Sequence, residues 1–213
     1  LDPFEKNSNQ QYGHKHRHIK TGKIKVSEDM LGSRVKLFYN DDLNISIANI
    51  SKESDYFFKN GHNDELIYIQ SGKALFESNF GEFSIVKGDY LVIPRGVIWK
   101  FSDIDKIKCL LIESRSPIST PSKYRNEFGQ LMEHSPYCER DIKTPKLMQP
   151  KDEFGDFHIK IKYTDGIQNY IYDNHPFDIV GWDGYYFPWK LNIKDFEPIT
   201  GSIHQPPPVH QTF

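Results

Sequence analysis

The chain has 213 residues, a formal net charge of −2 and 14% aromatic residues, so it is long enough for one large hydrophobic core or two smaller ones. The near-neutral charge gives no electrostatic reason to expect a nucleic acid or an anionic membrane as partner. The longest apolar runs, such as residues 109–112, are far too short to span a bilayer.

The first residues carry a histidine cluster instead of a secretory signal. His14, His16 and His18 alternate with Lys15 and Arg17. Three histidines on one strand face could bind a metal, but the interleaved cations repel one, and a closed site would need further ligands from elsewhere. We therefore predict a solvated basic segment, able to order against an anionic partner surface.

Two cysteines, Cys109 and Cys138, allow one disulfide at most. Cys109 lies in an apolar run that is typical of a buried strand, where a thiol behaves as a small hydrophobe. No basic start followed by an apolar segment is visible near Leu1. We therefore predict a cytoplasmic protein in which both cysteines are reduced.

Short alternating apolar patterns predict strands along most of the chain. Period-two alternation is found at residues 23–26, 34–37 and 158–163. Between residues 61 and 113 the apolar runs are shorter and are separated by glycine and proline turns. The runs are 66–69, 74–76, 83–86 and 90–93, with turns at 71–72, 81, 87–89 and 94–96. This pattern predicts an antiparallel sandwich or small barrel.

The segments after residue 113 predict less regular structure. Residues 114–150 form a proline-interrupted connector in which 124–132 could carry a short helix. From residue 173 on, Asp, Gly, Pro and aromatic residues predict a packed loop. In that loop we expect Asp183 to cap a turn and five aromatic side chains to form an interdomain core: Trp182, Tyr185, Tyr186, Phe187 and Trp189.

Two half-motifs resemble the metal-binding motifs of the cupin superfamily. Six residues separate Glu65 from Gly72, and five residues separate Gly88 from the Pro94-Arg95-Gly96 turn. The resemblance implies a cupin-like β-sandwich or jelly-roll barrel at residues 61–113. Together with the strand patterns, it makes all-β the predicted fold class.

The metal ligands of these motifs are largely absent. In the superfamily, the first motif supplies two histidines and a glutamate, and the second supplies one more histidine. Here only His62 precedes Glu65, and Trp99 stands where the second motif has its histidine. A catalytic metal needs three converging protein ligands, so we predict that this barrel binds no metal. His62 and Glu65 are then interpreted as a polar rim at the barrel mouth.

The C-terminal stretch resembles the homogentisate 1,2-dioxygenase family. The resemblance rests on residues 174–184 (NHPFDIVGWDG), 195–199 (DFEPI) and 204–210 (HQPPPVH), and an earlier stretch at 129–141 resembles the bacterial branch of the family. Together with the degenerate cupin motifs, the resemblance covers nearly the whole chain.

This resemblance implies an Fe(II)-dependent enzyme. Family members use dioxygen to open the ring of homogentisate, giving maleylacetoacetate in tyrosine and phenylalanine breakdown, and assemble as trimers that pair into hexamers. Their iron lies in a C-terminal cupin-like domain on two histidines and one glutamate. We therefore expect the iron ligands downstream of Phe213. Either the protein is longer than these residues, or the chain is a fragment, or it is a short paralogue that kept the scaffold without the chemistry. The expected partners are a dihydroxyphenyl acid, dioxygen and further copies of the chain.

Within this chain the predicted catalytic residues are His204 and, second, His210. His204 precedes three prolines, 206–208, and by this position it matches the family histidine that takes a proton from the substrate hydroxyl. An imidazole with a pKa of about 6.5 suits that role. No cofactor-binding or metal-binding residue is predicted here.

Two other functions stay open. One is a metal-free cupin module that binds a small molecule or a partner without catalysis, and the other is a cupin isomerase or epimerase that uses a lone His and Tyr. The predicted organisation is an N-terminal β domain, 1–113, that contains the degenerate barrel, a connector with additional strands, 114–172, and an aromatic and proline-rich segment, 173–213. That last segment is expected to lead into an iron-binding domain outside this chain.

Overall fold

A computed structural model describes residues 16–164, 166–198 and 210–213. Ten strands and three short 3-10 helices make up its regular structure. The strands are β1 (Val35–Tyr39), β2 (Leu43–Ile50), β3 (Phe57–Asn60), β4 (Asp64–Ser78), β5 (Gly81–Val86), β6 (Asp89–Ile93), β7 (Ile98–Ser114), β8 (Phe154–Tyr163), β9 (Gly166–Asn174) and β10 (Trp189–Asn192); the 3-10 helices are Thr21–Lys23, Ser122–Tyr124 and Ile193–Asp195.

All ten strands join one sheet. Its path runs β10-β6-β4-β7-β3-β8-β9, while β2 connects β1 to β7, and β5 pairs with β4. The β3–β8 pair is parallel, and the other pairs are antiparallel. Within the described residues the sheet is open, with β10 and β9 at the ends of the path. The predicted all-β fold class is confirmed. Helices in the described part are single 3-10 turns, none long or apolar enough to cross a membrane.

The two longest strands carry the sheet around a common core. β4 and β7 have 15 and 17 residues, and they pair along most of their lengths. Side chains from β2 to β7 meet inside in one cluster that includes Phe58, Phe76, Trp99 and Phe101. A smaller cluster lies where β8 packs against β3, and it includes Ile159 and Phe177. The strands β8 and β9 therefore extend the same open sheet.

The predicted turn at residues 71–72 is wrong. β4 runs through Gly72, and its register against β7 shifts at three places between Ile69 and Leu75. Gly72 has a φ of +88°, which a glycine adopts without steric cost. Such irregularities bend a strand without ending it, so one long bent strand replaces the two predicted strands. The turns predicted at Gly81, Gly88 and Gly96 are confirmed, each with a positive φ.

Two further predictions of local structure are wrong. The strand predicted at residues 23–26 is the end of the 3-10 helix Thr21–Lys23 followed by extended chain. There the carbonyl oxygens of Ile24 and Val26 accept hydrogen bonds from the Asn49 side chain. The helix predicted at 124–132 is a turn, because the side chain of Asn126 accepts hydrogen bonds from the backbone. A local side-chain acceptor competes with helix formation.

Gly72→Ala should cost more stability than Gly96→Ala. A Cβ at Gly72 would lie 2.4 Å from the carbonyl oxygen of Lys106, whereas a Cβ at Gly96 (φ +86°) meets nothing within 4 Å. Left-handed backbone costs about 1–2 kcal/mol for a non-glycine residue, so Gly96→Ala should lose about that amount and Gly72→Ala clearly more. Urea unfolding of both variants measures this, and equal losses would contradict the bulge geometry.

Candidate functional site

Four charged side chains form a buried ionic cluster inside the sheet: Arg34, Glu65, Glu113 and Lys162. Arg34 Nη1 lies 2.8 Å from Glu65 Oε1 and 3.6 Å from Glu113 Oε1, and the exposed fractions of these three side chains are 4% or less. Lys162 Nζ donates a hydrogen bond to Glu113 Oε1, as does Asn60 Nδ2 at 2.9 Å. The cluster thus joins the chain before β1 to β3, β4, β7 and β8.

Charged neighbours in the ionic cluster favour the ionised forms of Glu113 and Arg34. Burial would raise the pKa of the Glu113 carboxyl, but the charges of Lys162 and Arg34 and the hydrogen bonds from Lys162 and Asn60 outweigh it and lower that pKa. Burial would likewise lower the pKa of the Arg34 guanidinium, but Glu65 and Glu113 raise it. Two cations and two carboxylates make the cluster neutral overall.

The interpretation of Glu65 as a rim residue is wrong. Glu65 is 0% exposed, and its carboxylate meets a cation of the protein itself, Arg34. His62 is half-buried in the turn between β3 and β4, where its backbone N–H donates to Asn60 Oδ1. The position that carries a metal-binding glutamate in cupins is therefore part of an internal ion pair.

Trp99, at the position of the missing second-motif histidine, is completely buried. Its ring contacts those of Phe58, Phe76 and Phe101 at centroid distances of 5.7, 5.6 and 4.9 Å. Among residues 16–164, 166–198 and 210–213, no group of three His, Cys, Asp or Glu side chains could hold a metal ion. That part of the chain does not fit an iron site, and the metal-free barrel stays a prediction.

Two buried aspartates anchor other segments to the barrel. Asp64 accepts hydrogen bonds from Arg95 Nε at 2.9 Å and from the backbone N–H of Ile118 at 3.1 Å, at the start of the connector. Asp89 accepts from Lys190 Nζ at 2.8 Å and from Asn192 Nδ2 at 2.7 Å, both on β10. Sequence reasoning missed both roles, although each aspartate begins a strand.

Of the two predicted catalytic residues, His204 lies outside the described residues. The chain on both sides of it is anchored at one tyrosine, Tyr137. On the earlier side, the ring of Phe196 lies 6.2 Å from the Tyr137 ring. On the later side, the carbonyl oxygen of Thr212 accepts a hydrogen bond of 2.8 Å from Tyr137 Oη.

His210 is half-buried against Tyr124. Its Nδ1 is 3.5 Å from Tyr124 Oη, and the two rings stack at a centroid distance of 6.4 Å. Tyr124 Oη also accepts a hydrogen bond from the backbone N–H of Gln211. Phe213 packs against Tyr90 and Trp189 at 5.2 and 5.7 Å. These contacts fix the position of His210 without assigning it a chemical role.

The other histidines and cysteines identified in the sequence have simpler surroundings. His16 and His18 are exposed, as expected for a solvated segment, whereas His14 lies outside the described residues. Cys109 and Cys138 are not bonded to each other, and their reduced state in a cytoplasmic protein stays a prediction. Burial raises the pKa of the Cys109 thiol to about 12, so Cys109 is an unreactive core residue.

The aromatic residues expected to form an interdomain core do not share a core within this chain. Trp182 packs against Phe80 and Phe187 at 5.5 and 4.9 Å, whereas Tyr185 is fully exposed. Asp183 Oδ1 accepts a hydrogen bond from the backbone N–H of the next residue, Gly184, and the capping of a turn by Asp183 stays a prediction. The interdomain contact itself stays a prediction.

His175 occupies an aromatic box that the sequence did not reveal. Its ring lies 5.2, 4.8 and 5.4 Å from the rings of Phe57, Phe157 and Phe177. Its Nδ1 accepts a hydrogen bond of 3.0 Å from the backbone N–H of Phe177. Burial, and then the nearby charge of Lys151, lowers the pKa of this imidazole. His175 therefore acts as a neutral acceptor that packs the 174–178 turn.

We expect His175→Asn to weaken the pH dependence of stability. Native His175 resists protonation while the unfolded chain accepts a proton below about pH 6.5, so its stabilisation is present above that pH and is lost as the pH falls toward the lowered folded pKa. Asparagine keeps an acceptor near Nδ1 but does not titrate. Urea unfolding at pH 7.5 and 5.5 should show a smaller decrease for the variant; an equal decrease would contradict this role.

The sequence of this chain matches a known protein family and several of its relatives. A sequence profile for the family described as homogentisate 1,2-dioxygenase N-terminal matches residues 31–193. A protein of Saccharolobus solfataricus with a provisional dioxygenase name is 42% identical over 201 residues, which is 94% of this chain and 52% of that protein. Homogentisate 1,2-dioxygenase of Sinorhizobium fredii is 23% identical over 165 residues, 76% of this chain and 35% of that enzyme.

The chain therefore spans about half, or less, of the length of the curated relatives it matches. Among solved structures, that of a cupin-2 domain-containing protein of Shewanella frigidimarina is similar over 39% of this chain and 80% of that chain. Its identity is 20% and its TM-score is 0.35.

Proposed function

This chain belongs to the homogentisate 1,2-dioxygenase N-terminal family, and we propose that it forms the N-terminal half of an iron-dependent dioxygenase that opens the ring of homogentisate. The observation that carries the proposal is the family match over residues 31–193, which includes all ten strands of the sheet. Membership of a dioxygenase family follows from that match and from the relatives. The substrate is the part that we propose.

In this proposal, the iron ligands belong to a part of the protein beyond Phe213. Two features support this placement: the relatives are roughly two to three times as long as the part they share with this chain, and the described residues offer no three-ligand group. A facial set of two histidines and one carboxylate would leave open positions for substrate and dioxygen. The barrel described here then serves as scaffold.

We further propose that this chain contributes the base. The substrate hydroxyl must lose a proton, and a neutral imidazole can accept it. His204 is the first candidate because Tyr137 anchors the chain on both sides of it. His210 is the second, with its position fixed by Tyr124. Assembly of several copies, as trimers or hexamers, and a cytoplasmic location also belong to this proposal.

The test is oxygen uptake by the complete, iron-loaded protein. With homogentisate, we expect uptake of one dioxygen per substrate together with formation of maleylacetoacetate. A matched phenylacetate with a single ring hydroxyl should give neither, because it has lost one of the groups that ring opening requires. If the iron-loaded protein turns over another dihydroxyphenyl acid but consumes no oxygen with homogentisate, the proposed substrate is wrong. Failure with all such acids would overturn the proposed reaction.

A metal-free binding module is the second candidate function. It is favoured by one observation, the ionic cluster that places Arg34 against Glu65 at the former metal position. The complete reading frame separates the two candidates. An extension with a histidine, a nearby glutamate and a later histidine supports the enzyme, and a stop codon after Phe213 supports the binding module.

A further inference from the structure

Five buried side-chain atoms have no hydrogen-bond partner within the described part of the protein. They are Ser33 Oγ, Arg34 Nε, Arg34 Nη2, Glu65 Oε2 and Trp99 Nε1. A buried polar group without a partner costs about 1–3 kcal/mol, and more if it is charged. Native proteins therefore pair nearly all such groups, with protein atoms or with ordered water.

Three of the five atoms belong to one directly bonded pair, Arg34 and Glu65. Arg34 Nη1 lies 2.8 Å from Glu65 Oε1, and the Arg34 guanidinium lies 5.0 Å from the centroid of the Phe58 ring. The Phe58 ring also contacts the Trp99 ring, with 5.7 Å between the two centroids. Ser33 precedes Arg34 in the chain and is itself buried. The three unpaired atoms of the Arg34–Glu65 pair therefore lie together, with Ser33 next to the pair in the chain and Trp99 linked to it through the Phe58 ring.

The charge of the surroundings decides what kind of ligand this group accepts. The ionic cluster already balances Arg34 and Lys162 against Glu65 and Glu113. An added ion would leave one charge uncompensated in the interior, which is far more costly than burying a neutral group. The ligand that fits is therefore neutral.

The hydrogen-bonding pattern narrows the ligand further. Arg34 and Trp99 offer only donors, Glu65 offers an acceptor, and the hydroxyl of Ser33 can do either. A species that completes the Arg34–Glu65 pair must therefore accept from Arg34 and donate to Glu65, and at Trp99 it must accept. Water does both, and internal waters typically make about three hydrogen bonds to buried polar groups that otherwise lack partners.

We propose that Ser33, Arg34, Glu65 and Trp99 form an internal water-binding site of the barrel. Water at this site completes the solvation of the Arg34–Glu65 pair and provides the acceptor for the Trp99 indole. The site gives a physical reason for an indole at position 99, since a purely apolar ring would provide one donor fewer. This inference does not depend on the proposed reaction.

A crystal structure of the protein at a resolution that shows ordered water tests the site. We expect density for water within about 3.2 Å of Glu65 Oε2 and of at least one of Arg34 Nε, Arg34 Nη2 and Trp99 Nε1. Protein groups in hydrogen-bond contact with all of these atoms would overturn the proposal. So would a metal ion coordinated by Glu65, or a dry interior.

Variants then show which residues hold the water. Trp99→Phe removes the indole donor and leaves a smaller ring, so the water should remain with one partner fewer. The double variant Arg34→Leu/Glu65→Leu replaces the ion pair by apolar side chains, a change that proteins often tolerate at buried ion pairs. In this variant the water density should be lost. Water that persists unchanged in the double variant would contradict the assignment. If that variant does not fold, Trp99→Phe and the unmodified protein still decide the outcome.

Discussion

Glu113→Gln is expected to lower the free energy of unfolding by about 3–5 kcal/mol, because it leaves the charge of a buried lysine without its partner. Lys162 is 6% exposed, and its ammonium group donates to the Glu113 carboxylate. Arg34 Nη1, 3.6 Å from the same oxygen, loses a second attraction. Urea unfolding measures the loss directly.

The matched control is the double variant Glu113→Gln/Lys162→Met, which removes the unpaired charge together with its partner. Apolar replacement of buried ion pairs is often neutral or stabilising, so much of the lost stability should return. If the double variant is as unstable as Glu113→Gln alone, the cost arises from packing, and the electrostatic account of the ionic cluster is wrong.

Acid should remove the same stabilisation in the unmodified protein. The pKa of Glu113 is lowered in the folded state by Lys162 and Arg34, against the opposing effect of burial. Its contribution to stability is therefore present above the unfolded pKa of about 4.3 and is lost as the pH falls through the lower folded pKa.

In the complete enzyme, His204→Gln should reduce turnover by about 100-fold or more while the iron content stays near normal. A positioned general base typically contributes a factor of this size, and glutamine retains hydrogen bonding without accepting a proton at neutral pH. The prolines at 206–208 restrict the backbone next to His204, which favours a fixed base. Steady-state oxygen uptake with an iron assay separates lost chemistry from lost metal.

His210→Gln is the paired comparison. We expect His210→Gln to have the smaller effect on turnover, because His204 is the first candidate for the base. If His210→Gln abolishes turnover and His204→Gln does not, the base is His210. If neither variant changes turnover, the base lies in a part of the protein outside this chain.

The strands were predictable where short apolar runs or apolar residues in alternation mark them in the sequence, as at 34–37, 83–86 and 158–163, which fall mainly in β1, β5 and β8. The bulge at Gly72 was not, because a glycine after a serine gives the same local signal in a turn and in a bent strand. What separates the two is the long-range pairing of β4 with β7, which a local pattern does not contain.

The ionic cluster was hidden for a related reason. In β8, Lys162 stands at a position that the alternation would leave exposed, yet it is 6% exposed and pairs with the buried Glu113. Arg34 and Lys162 are far apart in the sequence, and only the fold brings both of them to the Glu113 carboxylate. The role of Glu65 was visible as a motif position, but its partner was not.

The iron content and oxygen uptake of the chain ending at Phe213, compared with those of the complete protein, test the central claim most directly. Both samples should be verified by intact mass and supplied with Fe(II), ascorbate and homogentisate. We predict iron binding and oxygen uptake for the complete protein and neither for the 213-residue chain, whose described residues offer no three-ligand group. Measurable turnover by the mass-verified chain would contradict both the placement of the iron and the role of this chain as a scaffold half.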